Sequence, residues 1–114
     1  MEVDNAETAK RAYHFLKNYK SLKKLANLRD TPGAFETKAI EIVEMIDSYS
    51  SSLDGKKRDI FYNLFFVSQK QKQTLKELYN SLDIDKTEHD RLKSEILLDF
   101  ARSYREGALL IYHD

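Results

Sequence analysis

Apolar residues recur every three or four positions along most of this chain, which is the period of an amphipathic α-helix. Near the N-terminus a broad apolar face collects Ala9, Ala12, Phe15, Leu16, Tyr19, Leu22 and Ala26. This pattern predicts a single helix of about 25 residues, from roughly residue 4 to residue 28. A helix of that length in a small protein would offer a surface for self-association or for a partner.

The same period predicts four further helices, at about residues 35–49, 56–68, 75–82 and 86–104. The segment RDTPGAF, which joins proline to glycine, ends the first helix, and SYSSSLDG is a polar connector after the second. With one proline and three glycines in the chain, we expect an all-α fold of about five helices. Residues 1–50 would form an N-terminal helical region. Residues 51–114 would carry the last two helices and an apolar tail, ALLIY, either a strand or a clasp over the core.

Capping signals mark both helices in the stretch TLKELYNSLDIDKTEHDRLKSEILLDFA. Thr74 followed by Glu77, and Asp85 followed by Glu88, match the capping box that satisfies the first amides of a helix. Between them lies a tight turn in which Asp83 would adopt left-handed geometry. Two capped helices around one tight turn predict a helix-turn-helix, whose second helix enters the DNA major groove. An ordinary helical corner is the alternative.

Composition narrows the classes of function. The chain has 114 residues, enough for one domain, and no cysteine, which excludes disulfides and zinc-finger sites. No apolar run approaches the roughly 18 residues of a membrane span. The start, MEVDNAETAK, is acidic and polar, so we expect no signal peptide and a cytoplasmic protein. No phosphate loop or nucleophile motif is present, and we therefore expect neither an enzyme nor a bound metal or cofactor.

The distribution of charge is the main puzzle for a DNA-binding interpretation. The net charge is zero, and residues 83–99 carry six acids against three bases. Basic residues gather elsewhere: seven without an acid in Lys10–Arg29, and six with one acid in Lys56–Lys76. Because phosphate contacts provide most of the affinity for DNA and base contacts the specificity, these flanking segments could hold the DNA backbone.

The candidate DNA-binding residues form two groups. The segment QKQKQT precedes the helix at 75–82, where a helix N-terminus would face a phosphate, and its candidates are Gln69, Lys70, Gln71, Lys72 and Thr74. The candidates on the outer side of the last helix are Lys86, Thr87, Asp90, Arg91 and Ser94. Arg91 could bind guanine through two hydrogen bonds, and Asp90 or Glu88 could accept one from cytosine.

The segments LYNSLDIDKTEHDRLKSEILLDFA, GALLIY and AKRAYHFLKNYKSLKKLA resemble the ArpU and RinA group of phage late-transcription regulators. The C-terminal half of those proteins is similar to region four of bacterial sigma factors. The resemblance implies a DNA-binding activator of phage or prophage late genes, with double-stranded DNA and RNA polymerase as partners, and we expect a homodimer. In that family a basic or aromatic run tends to follow the threonine of the recognition helix. This chain has Glu88, His89 and Asp90 there.

The residues leave two alternatives open. In the first, the acidic helix-turn-helix docks on RNA polymerase or a phage protein without reading DNA. In the second, the chain is a structural helical protein of a phage particle. The surroundings of Arg91 separate DNA binding from docking. The basic clusters Lys56–Arg58 and Lys70 with Lys72 beside Arg91 would favour DNA, whereas acids around Arg91 would favour docking.

Overall fold

The computed structural model describes residues 2–27, 34–68 and 70–113, without the side chains of residues 34–36 and 113. About three-quarters of these residues are helical, which confirms the predicted all-α fold. In chain order the elements are β1 (Glu2–Val3), α1 (Asn5–Leu16), α2 (Tyr19–Ala26), α3 (Ala34–Ser52), α4 (Gly55–Phe61), a π-helix (Tyr62–Phe66), α5 (Leu75–Leu82), α6 (Lys86–Ser103), a 3-10 turn (Tyr104–Glu106) and β2 (Tyr112–His113).

The prediction of one long first helix is wrong, because the helix is interrupted between α1 and α2. The backbone N–H of Asn18 donates to the Phe15 carbonyl (3.1 Å) instead of the His14 carbonyl. The side-chain amide of Asn18 donates to the His14 carbonyl (3.4 Å). A side chain that bonds the backbone in this way competes with the regular helix ladder. After the break α1 packs on α6 and α2 packs on α3. The long helix that was expected to support a homodimer is therefore absent.

Helix α3 is longer than the pattern predicted. The prediction ended near Tyr49, but the helix continues through Ser52, so the predicted SYSSSLDG connector shrinks to Leu53 and Asp54. Ser50 is buried, and burial in the core overrides the weak helix propensity of a serine run. Residues 28–33, where the predicted RDTPGAF break largely falls, and Gln69 lie outside the described residues.

The helix that begins with α4 changes to a π-helix at Tyr62. The N–H of Val67 donates to the Tyr62 carbonyl five residues earlier (3.1 Å), which is the π-helix spacing. The wider turn brings Phe66 to the side of Phe61, with ring centroids 5.4 Å apart. Phe66 then stacks on Tyr19 of α2 at 4.3 Å, so the π-helix joins α2 to the core.

One hydrophobic core joins both halves of the chain. The largest fully buried side chains include Leu16 of α1, Ile46 of α3, Phe61 of α4 and Phe100 of α6. The predicted apolar face of the first segment is confirmed, since its members are either buried or packed against this core. Residues 1–50 and 51–114 thus share a core.

The apolar tail is both a short strand and a clasp, the two possibilities raised by the sequence. Strand β2 pairs antiparallel with β1, and Leu109 and Leu110 pack on the core. The Ile111 N–H donates to the buried Thr8 hydroxyl (2.9 Å), and the Asp4 N–H donates to the Ile111 carbonyl (2.6 Å). The backbone of the tail at Ile111 is therefore bonded within the chain.

Candidate interface on helices α5 and α6

The start of α5 is fixed by a complete capping box. The Thr74 hydroxyl accepts from the Glu77 N–H (3.2 Å), and the Glu77 carboxylate accepts from the Thr74 N–H (3.2 Å). One residue earlier, Gln73 is bonded through its backbone to the buried side chain of Asn63. The predicted helix 75–82 is confirmed with these bounds.

The turn between α5 and α6 has the predicted left-handed residue. Asp83 lies at φ 55° and ψ 51°, and the Ile84 N–H donates back to the Tyr79 carbonyl (3.0 Å). Leu78 is buried, and Leu82 and Ile84 pack against the core. Two helices around one tight turn are therefore present, with no strand anywhere in 75–103, a stretch that the structure describes completely.

The start of α6 differs from the predicted capping box in one respect. The Asp85 carboxylate accepts from the Glu88 N–H (2.8 Å), as expected of an N-cap. The Glu88 carboxylate instead contacts Arg91. His89 is buried, at 3% exposure, and its ring lies 5.1 Å from the ring of Tyr79.

Arg91 is held by acids on both sides. Its Nη1 contacts both carboxylate oxygens of Glu95, at 3.2 and 2.8 Å, and its Nη2 contacts Glu88 at 3.3 Å. These side chains are partly exposed, with 57% for Arg91, so each pair contributes about 0–1 kcal/mol. The arrangement gives the outer face of α6 two carboxylates for one guanidinium.

A second ion pair neutralises the other cation near the start of α6. Lys86 Nζ lies 2.7 Å from Asp90 Oδ2. The hydrogen bond from Lys86, and after it the one from His89, lowers the pKa of the Asp90 carboxyl, and the same Lys86–Asp90 bond raises the pKa of Lys86. All five candidates on this helix are exposed: Lys86, Thr87, Asp90, Arg91 and Ser94.

The candidate phosphate contacts precede α5 in the chain. Lys70, Gln71, Lys72 and Thr74 are exposed. Lys72 and Thr74 line a cavity of about 420 Å³ to which α6 also contributes, whereas Arg91 lies outside its lining. The structure thus places two of these candidates, Lys72 and Thr74, in one cavity lining that does not include Arg91.

Of the lining residues that were not sequence candidates, Tyr13 and Lys93 bring an aromatic ring and a charge to this cavity. The Nζ of Lys93 lies 4.6 Å from the Tyr13 ring centroid, and the Nζ of Lys17 lies 5.3 Å from it. The spacing of Tyr13 and Lys17 along one helix was a readable signal. The contact of Lys93 with Tyr13 could not be predicted from the sequence, because it depends on the packing of α1 against α6.

A second groove, of about 710 Å³, lies away from all these candidates. It runs between α3 and the end of α6, with Tyr49 and Tyr104 among its apolar lining and Glu41 and Glu44 among its charged lining. No sequence pattern indicates this groove, since its two sides come from helices that are about 50 residues apart in the chain.

Comparison of the chain with protein families, with curated proteins and with solved structures finds no match. Across the described ranges, no helix combines the length and apolarity that crossing a membrane requires. Those ranges also hold no cluster of three or more side chains suited to binding a metal ion.

Proposed function

We propose that this protein is a transcription regulator whose α5–turn–α6 unit docks on a protein through the outer face of α6. RNA polymerase is the first partner to test, because the resemblance to phage late-transcription regulators points to it. The observation that carries the proposal is the position of Arg91 between Glu88 and Glu95. Acidic side chains around Arg91 favour docking on a protein over contacts with DNA bases.

Charge complementarity explains the preference. The exposed ion pairs of Arg91 are weak enough to be exchanged for contacts to a partner. If Arg91 turned to a guanine, however, the carboxylates of Glu88 and Glu95 would remain close to DNA phosphates. A basic protein surface would instead bind those carboxylates and gain from them in association rate and specificity.

The test is the binding of the full chain to purified bacterial RNA polymerase at several salt concentrations. The double variant Glu88→Gln with Glu95→Gln keeps the shape of the face and removes two charges. We expect slower association and a flatter salt dependence. The matched control is Glu41→Gln with Glu44→Gln, which removes two exposed charges from α3 and should leave binding unchanged. Equal binding by wild type and the α6 double variant would contradict the proposal.

Direct DNA binding is the second candidate, and a separate observation favours it. Lys72 and Lys93 line the same cavity near the start of α5, and Lys17 and Lys93 both contact the ring of Tyr13. Basic groups are therefore present at the end where a helix-turn-helix faces a phosphate. Titration of the wild-type protein with a random duplex at low salt tests this candidate. An absence of binding under those conditions would remove it.

A further inference from the structure

A basic groove lies between α2 and the end of the π-helix. It has a volume of about 460 Å³, and Lys20, Lys23 and Lys24 of α2 line it. No carboxylate is among the described residues of its lining, and α2 itself contains no acidic residue. The three ammonium groups give the groove a positive field that attracts anions.

Two of these lysines are available to a ligand. Lys20 and Lys24 are exposed, and within the described part of the chain neither side chain forms an ion pair or a hydrogen bond. Lys23 is different, because its Nζ donates to the Tyr19 hydroxyl (3.2 Å), which in turn donates to an Asp47 carboxylate oxygen (2.6 Å). Asp47 offsets the charge of Lys23 in part, so Lys20 and Lys24 are the cations that remain to bind an anion.

Aromatic rings form the apolar part of the groove and continue beyond it. Tyr19 and Phe66 both line the groove, and their rings stack with centroids 4.3 Å apart. The ring of Tyr62, four residues before Phe66, lies 4.9 Å from the Phe66 ring. Tyr62 is 38% exposed, so a ring that solvent reaches lies at the edge of the lysine-lined groove.

Arg58 adds a cation beside Tyr62. Its guanidinium carbon lies 6.0 Å from the centroid of the Tyr62 ring, which is the outer limit of a cation–π contact. Asp59 lines a small cavity together with Tyr62, so a negative charge is present at this end too. Arg58 is exposed and weakly held, and guanidinium planes stack on nucleic-acid bases as well as on aromatic side chains.

Lysines next to an exposed ring match the chemistry of a single-stranded nucleic acid. Proteins bind single strands with a basic groove that follows the phosphates and with aromatic side chains on which the bases stack. In a duplex the faces of the bases are covered by the neighbouring base pairs, so a duplex offers phosphates but no face to Tyr62. An acidic peptide pairs with the lysines but likewise leaves the Tyr62 ring without a stacking partner.

We propose that this basic–aromatic surface, formed by Lys20, Lys24, Phe66, Tyr62 and Arg58, binds single-stranded nucleic acid. Lys20 and Lys24 contact successive phosphates. A base stacks on the exposed ring of Tyr62, and Arg58 moves from that ring onto the base. DNA and RNA strands share the phosphates and bases that these contacts use.

Fluorescence anisotropy of the full chain with a labelled single strand tests the proposal. The strand has about 16 nucleotides of mixed sequence, the upper end of what one small domain covers. We expect saturable binding at low salt that weakens steeply as salt is added. Saturable binding of either the DNA strand or the RNA strand of the same sequence supports the proposal, and the tighter of the two identifies the preferred source.

Two unlabelled competitors separate stacking from charge. Inorganic polyphosphate of similar length keeps the phosphates and lacks bases. The duplex of the same DNA sequence keeps the phosphates and covers the base faces. We expect each to compete at least several-fold more weakly, per phosphate, than the single strand.

Matched tyrosine variants test the stacking contact. Tyr62→Leu keeps an apolar side chain without a ring, and it should weaken single-strand binding about fivefold or more, the loss expected for one stacked base. Binding of polyphosphate should not change. Tyr112→Leu removes an exposed ring of β2 outside the groove lining and should leave single-strand binding unchanged.

Matched charge variants test the phosphate contacts. Lys20→Gln with Lys24→Gln should reduce the slope of log affinity against log salt by about 1.4, because each phosphate contact on a single strand contributes about 0.7. The control is Lys10→Gln with Arg11→Gln, which removes two exposed cations of α1 outside the groove lining and should leave the slope unchanged. Melting temperatures equal to that of the wild type show that each variant is folded.

The proposal fails if the wild type shows no saturable binding of either strand, or if polyphosphate or the duplex competes as well as the single strand. It also fails if Tyr62→Leu binds the strand as tightly as the wild type does. An equal loss of slope in the α1 and α2 double variants would show non-specific attraction and overturn it as well. The basic–aromatic surface does not include α6, so none of these results bears on docking to RNA polymerase.

Discussion

The side chain of Asn63 and the backbone of Gln73 exchange two hydrogen bonds. Asn63 Nδ2 donates to the Gln73 carbonyl (3.3 Å), and the Gln73 N–H donates to Asn63 Oδ1 (2.9 Å). The pair joins the π-helix to the residue before the α5 cap. It therefore sets where α5 begins relative to the core, and with it the positions of the α5–α6 turn and of the cavity beside the start of α5.

Asn63→Ala should destabilise the protein by about 1–3 kcal/mol, because both hydrogen bonds are lost and backbone groups of Gln73 lose their partners. Chemical denaturation measures the change in the free energy of unfolding. The control is Asn80→Ala, an exposed asparagine in α5, where we expect a change near zero or a slight gain. Equal stability of Asn63→Ala and wild type would show that the pair does not hold the start of α5.

Asp83→Gly should stabilise the protein by roughly 0.5–1 kcal/mol, since glycine adopts the left-handed conformation at φ 55° without the steric penalty of a side chain. The control is Asp54→Gly, at φ −138°, where the added freedom of the unfolded chain should lower stability. Melting temperatures of the two variants should shift in opposite directions. A lower melting temperature for Asp83→Gly would mean that the Asp83 carboxylate contributes more than its backbone strain costs.

Tyr49→Phe should lower the stability of the protein at neutral pH. It should also make stability fall less steeply at high pH. The Tyr49 hydroxyl lies 2.9 Å from an Asp99 carboxylate oxygen and 3.1 Å from the Ile96 carbonyl, and its removal costs about 1 kcal/mol. Burial, and after it the hydrogen bond to Asp99, raises the pKa of Tyr49 above its ordinary value of 10.0.

The sign of the pH effect follows from that raised pKa. Below pH 10.0 the tyrosine is neutral in both folded and unfolded chains, and its full contribution to stability is present. Above pH 10.0 the unfolded chain ionises first, so stability falls as pH rises. Urea denaturation on both sides of pH 10.0 should show a shallower decline for Tyr49→Phe. Tyr112→Phe, at an exposed position, should retain the wild-type decline.

Asp90→Ala tests whether α6 reads DNA. If α6 enters the major groove, loss of Asp90 should raise affinity for random duplexes, because a negative charge near phosphates is removed, and should relax sequence preference. If α6 docks on polymerase, DNA binding should stay unchanged and activation should fall. Duplex titrations at two salt concentrations, with transcription assays in parallel, distinguish these results.

Two further variants complete that comparison. In the DNA-reading case Arg91→Ala should weaken specific binding by roughly 1–3 kcal/mol and leave random binding nearly unchanged. Lys72→Ala should weaken both and lower the salt slope by about one unit. In the docking case Arg91→Ala should leave all duplex titrations unchanged.

Local sequence signals were sufficient for α5, its turn and α6. Thr74 with Glu77, Asp83 and Asp85 act through residues at most three or four positions away, so the chain specifies them without the rest of the fold. The same signals gave a wrong prediction for the Glu88 side chain. The pattern predicts that its carboxylate caps the start of α6, whereas in the folded helix it contacts the Arg91 guanidinium.

The sequence by itself determined the helical class, the apolar faces and the ends of the last two helices, because amphipathic period and capping are local properties. The break at Asn18 has a local bond to His14, but only the tertiary structure decided that α1 and α2 pack on different partners on its two sides. It also decided that Lys93 approaches Tyr13 and that Asn63 holds Gln73. These contacts join residues that are distant in the chain or on different elements, and their energy depends on the assembled core.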